Sequence, residues 1–80
     1  MNKPYWNYRL VRHIDSDGEI TIAIHEAHYD AGSDVPRSVA ENPAVVMSAT
    51  AYQLTDVLRK MRRALKGTIL DYKDFERTKQ

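Results

Sequence analysis

The stretch from Trp6 to Tyr29, WNYRLVRHIDSDGEITIAIHEAHY, carries two runs with the two-residue period of strands. Trp6, Tyr8, Leu10 and, past Arg12, Ile14 share one face of the first run. Ile20, Ile22 and Ile24 do the same on the way back. Between them, Asp15-Ser16-Asp17-Gly18 has the composition of a hairpin turn, with glycine where a left-handed residue is needed. A three-residue loop, Ser16-Asp17-Gly18, sets Ile14 opposite Ile20, Leu10 opposite Ile24, Tyr8 opposite Glu26 and Trp6 opposite His28. A slip by one residue scatters the isoleucines to the other face, so pattern and turn chemistry agree on this register.

Outward from the hairpin, the residues from Tyr29 to Asp34 form a turn around Gly32, and Val35 to Val39 suits a short third strand. Pro36 and Pro43 fit edges and turns because proline cannot donate to a ladder. Ala44 to Met47 reads as a further extended segment. Thr50-Ala51-Tyr52-Gln53 has capping-box spacing and opens the helix, whose apolar stripe is Leu54, Val57, Leu58, Met61 and Leu65 and whose stop is Gly67. That stripe is expected to lie on Leu10, Ile20, Ile22 and Ile24. Thr68 to Leu70 suits a last strand or an extended return, and the polar residues from Asp71 to Gln80 are expected to fray.

Eighty residues with 42% hydrophobic side chains suit one small domain, with an ordered core over about residues 5–72. A core this thin leaves little room for an enclosed active site. The absence of cysteine excludes disulfides, thiolate metal sites and a cysteine nucleophile. No apolar run has secretory or membrane-spanning length, which points to a soluble, cytoplasmic chain without a membrane partner. The net charge of +1 hides an asymmetry: residues 1–47 hold four basic and seven acidic side chains, residues 48–80 eight basic and four acidic.

The ordered set Trp6 to Arg9, Ile24 to Glu26, Tyr29-Asp30, Gly32, Asn42-Pro43, Leu54/Leu58/Met61 and Leu70-Asp71-Tyr72 resembles the pattern of a small uncharacterised bacterial protein family. The likeness covers roughly residues 5–75. It implies a fold and brings no activity with it. The family pattern has Val-Tyr where this chain has Ala27-His28, which implies that His28 is not a required ligand. Strands followed by a capped helix are also similar, in element order, to the folded part of HicB-type antitoxins, and fold alone does not carry function.

Four features bear on function. Within IHEAHYD, Glu26, His28 and Asp30 share a strand face, a donor set suited to zinc or another divalent ion. Their linear spacing makes a poor cage without a ligand from elsewhere, so the preferred reading is structural, with Glu26 and His28 bonded across the hairpin to Tyr8 and Trp6. Arg59, Arg62, Arg63 and Lys66 follow i, i+3, i+4, i+7 and form a basic helix stripe, flanked by Lys60, that suits phosphates. The same cations also complement the helix dipole near its C-terminus. The second sheet face, with Tyr5, Ala23, His25, Ala27 and Tyr29 among its residues, offers small alanines beside tyrosines, a surface suited to a partner. Finally, Ser33, Ser38 and Ser48 lack the context of an activated nucleophile, no glycine-rich phosphate loop occurs, and the histidines are confined to the hairpin.

The sequence therefore points to an α+β domain, an antiparallel β-meander of three to four strands packed on one face by a single amphipathic helix. The expected role is a non-enzymatic interaction module without a cofactor, self-associating as a homodimer or binding another protein through the sheet. The alternatives are a nucleic-acid-associated, antitoxin-like regulator using the basic helix face, and a metal-assisted enzyme at Glu26 and His28, where proton transfer is the available chemistry. A small-molecule ligand beside Trp6 stays open.

Overall fold

A computed structural model describes residues 3–76. Two ten-residue strands, β1 (Tyr5–Ile14) and β2 (Ile20–Tyr29), form the hairpin in the expected register, with Ile14 opposite Ile20, Leu10 opposite Ile24, Tyr8 opposite Glu26 and Trp6 opposite His28. The turn chemistry is visible in the bonds. Asp15 Oδ1 accepts from the amides of Asp17 and Glu19, the Gly18 amide donates to the Asp15 carbonyl, and Gly18 takes a positive φ of 84°. That is a tight turn closed by a left-handed glycine, which fixes the pairing.

The other elements are short. They comprise β3 (Ser38–Val39), α1 (Ala51–Arg63) followed by a 3₁₀ turn (Ala64–Lys66), β4 (Leu70–Asp71) and α2 (Lys73–Glu76). The sheet order is β3-β2-β1-β4. The fold is α+β, with a four-stranded sheet packed against one main helix. It is not wholly an antiparallel meander: β4 lies parallel to β1, pairing Leu70 with Val11 and Asp71 with Arg12. The chain leaves the β3 edge, crosses as α1 and returns on the far edge, a crossover that parallel pairing requires. Beyond β3, the amides of Ala40 and Ala44 donate to the carbonyls of Glu26 and Ile24, so the segment after β3 follows the β2 edge, and Ala44 to Met47 lies outside any helix or strand.

Thr50 caps α1 as its spacing predicts, its hydroxyl accepting from the Gln53 amide at 3.1 Å. The reciprocal half of a capping box is missing, because Gln53 Oε1 accepts from the Ser48 hydroxyl at 3.2 Å. Lys73–Glu76 is helical where fraying was expected. The rest of that expectation, residues 77–80, lies outside the described residues.

The packing corrects two expectations. The helix buries Met61 and half-buries Leu54 and Val57, with Ala64 buried in the following turn, while Leu58 and Leu65 stay exposed. The helix contacts β1, and Ile20 and Ile22 remain 60% and 49% exposed. The contacts of the helix are chiefly with β1 and its own following turn, so the isoleucines of β2 near the hairpin tip gain little cover from it. The second sheet face is the better buried one. Val11 and Ala27 are 0% exposed, and His25 and Tyr29 are buried beside them.

Candidate functional site

The motif that looks most chemical in the sequence sits at the hairpin base. Glu26 and His28 project from β2 on one face and approach to 3.8 Å, both about two-fifths exposed. Neither bonds to Tyr8 or Trp6 across the strands, which corrects the expected cross-hairpin network. Trp6 and Tyr8 instead contact one another edge to face at 5.2 Å. Asp30, the third candidate ligand, is held by Arg37 at 3.1 Å. Among the described residues no three acidic or histidine side chains gather as a metal site would require.

The second sheet face was expected to offer Tyr5, Ala23, His25, Ala27 and Tyr29 to a partner. Instead its own side chains cover it. Tyr5 and Tyr29 stack at 4.5 Å and 4°, the Tyr5 hydroxyl donates to the Ser33 carbonyl, and Arg9 donates to the Tyr29 hydroxyl at 3.0 Å. His25 meets the Ala40 carbonyl through Nδ1 at 2.9 Å, and Tyr72 lies edge-on to His13 at 5.1 Å. Buried His25, Ala27 and Tyr29 therefore belong to the core, with Tyr5 and half-buried Ala23 at its rim. What remains open on this face is a hollow of about 410 Å³ bordered by His13, Thr21, Ala23, His25, Glu41 and Tyr72. No residue of α1 reaches it. The Ala40 carbonyl can only accept, so His25 Nδ1 is the donor in this contact.

Tyr72 reaches this face because β4 returns parallel to β1, and an ion pair secures that return. Arg12 Nε donates to Asp71 Oδ1 at 2.7 Å. The hydrogen bond, reinforced by charge attraction, raises the Arg12 pKa; from the other side it holds the Asp71 carboxyl below its usual range despite an opposing desolvation.

The basic stripe of α1 divides in two. Arg59 and Lys60 share the Asp56 carboxylate, at 3.0 and 3.2 Å, and the Lys60 hydrogen bond leads the causes that lower the Asp56 pKa. Arg62 and Lys66 are exposed. Arg63 turns toward β1, where it and Lys60 border a second hollow of about 570 Å³ together with Trp6, Tyr8, Arg9 and Gly67. Arg9 was not singled out in the sequence, yet it ties three parts of the chain together. Its guanidinium donates to the Tyr29 hydroxyl and to both the carbonyl and hydroxyl of Thr68. Its alternation with Tyr5 and Val11 was the available signal, since a cation on a face that becomes core must find acceptors.

None of the described helices is long and apolar enough to cross a membrane. Comparison of the chain with protein-family models, with curated proteins and with solved structures finds no match.

Proposed function

We propose that this chain is a small non-enzymatic interaction module that self-associates through the hairpin face bearing Ile14, Ile20 and Ile22. The observation that carries the reading is the exposure of these three isoleucines toward the tip of one sheet face, Ile14 opposite Ile20 and Ile22 next along β2 opposite Arg12. Contiguous apolar surface of this kind is what partners cover in small soluble proteins. A second copy is the simplest occupant, because a two-fold axis through such a patch sets like against like and closes the assembly at two chains. The reading replaces the Ala27/Tyr29 surface, whose residues are core. It also needs no reacting group.

Light scattering across a concentration series tests it. The wild type is expected to approach twice its 9.2 kDa chain mass as concentration rises. Ile22→Asp is expected to hold the single-chain mass with an unchanged circular dichroism spectrum, since the site is already half open to water. A wild type that stays at the single-chain mass throughout overturns the reading, as does an Ile22→Asp variant that associates equally well.

A further inference from the structure

The hollow between the first half of β1 and the C-terminal end of α1 is set apart by its composition. Three cations, Arg9, Lys60 and Arg63, and two aromatic rings, Trp6 and Tyr8, border it, and no carboxylate does. The charge there is poorly compensated. Arg9 bonds only to neutral groups, and its buried Nε has no partner. Arg63 makes no ion pair or hydrogen bond with a described residue, and the one carboxylate its charge acts on, Asp56, is already shared by Lys60 and Arg59. Such an array draws an anion, and the low-dielectric wall of rings beside it strengthens the attraction.

The rings narrow the choice of anion. Trp6 is exposed and touches Tyr8 edge to face, which leaves its indole available for stacking. An inorganic ion makes no use of that surface, whereas a base with its phosphate uses both halves of the hollow. The backbone adds a third element: β4 pairs only with Val11 and Arg12, so β1 from Tyr5 to Leu10 has a strand on one side alone. Main-chain donors and acceptors along that edge have no strand partner, beside the turn that follows α1. We propose that this hollow binds a nucleotide unit, its base stacked on Trp6 and its phosphate held by Lys60 and Arg63. The site involves none of the three isoleucines of the self-association face and stands whether or not the chain pairs.

Trp6 is the one tryptophan of the chain, so its fluorescence reports on this site alone. The experiment titrates the full chain with adenosine monophosphate, with a short single-stranded oligoadenylate and with inorganic phosphate, each at low and high salt. Saturable quenching by the nucleotide or the oligonucleotide, weakened by salt and far weaker with phosphate alone, is expected. Lys60→Gln/Arg63→Gln is expected to lower the affinity by about tenfold or more, while Arg62→Gln, outside the hollow, leaves it within about twofold. Quenching confined to the oligonucleotide assigns the unit to a strand; equal quenching per unit assigns it to a free nucleotide. Absence of quenching by both, equal response to phosphate alone, or indifference to the double substitution overturns the proposal. Repeating the titration on Ile22→Asp keeps its outcome separate from self-association, and an unchanged circular dichroism spectrum shows that the double variant is folded.

Discussion

The two faces of the hairpin are built from strands of equal length and reach opposite ends. The face richest in isoleucine stays half open, while the face with alanines, tyrosines, a histidine and an arginine contains the fully buried residues. The difference teaches that burial here follows what the rest of the chain brings, more than the hydrophobicity of the strand itself. Tyr5 and Tyr29 stack on one another, Tyr72 arrives with the parallel return, and Arg9 and His25 are tolerated because each finds acceptors. On the other face Ile14, Ile20 and Ile22 find no comparable cover.

The contrast breaks most sharply at Ala27. It is 0% exposed between the tyrosine stack and β3, so Ala27→Arg places an unpaired charge in the core, a cost of several kcal/mol that exceeds the margin of a small domain. Loss of the folded circular dichroism spectrum is the expected result; a folded variant would show that this face opens. Next in size is a matched pair of truncations. Val11→Ala is expected to cost about 2–3 kcal/mol in urea denaturation, whereas Ile22→Ala, which removes more carbon from a half-exposed site, costs less than about 1 kcal/mol in the single chain. Equal losses would remove the distinction between the faces.

The smallest effect belongs to the strap that holds Tyr72 in place. Asp71 has a folded pKa below its unfolded one, so the pair's contribution is fully present above the ordinary carboxylate range and is lost as pH falls through the lowered value. Being open to solvent, the pair adds little to stability. Asp71→Asn should flatten the acid limb of the stability–pH curve slightly, and a curve identical to the wild type would assign that limb to other carboxylates.

Much of this was legible in the residues. The hairpin register followed from Asp15 to Gly18 and the isoleucine alternation, because a glycine turn of fixed length leaves one pairing that keeps the isoleucines together. The helix start followed from Thr50, a local bond over three residues. The choice of buried face was not legible, because it depends on Leu70 and Tyr72 meeting residues some sixty positions earlier, and strand periodicity is symmetric between faces until that partner is known. For the same reason the cationic hollow was invisible as a unit: Arg63 and Lys60 are readable as a helix stripe, but their neighbours Trp6 and Arg9 come from the far end of the sequence.

The parallel pairing of β4 also sets a schedule. The hairpin leaves the ribosome by Tyr29, but the residues that flank β1 and cover Val11 arrive only with Leu70 to Tyr72, some forty residues later. At about 5–20 residues per second, that is an interval of a few seconds. During it the outer edge of β1 lacks its strand partner. Leu70 to Tyr72 thus decide when β1 becomes safe from sticking to its neighbours.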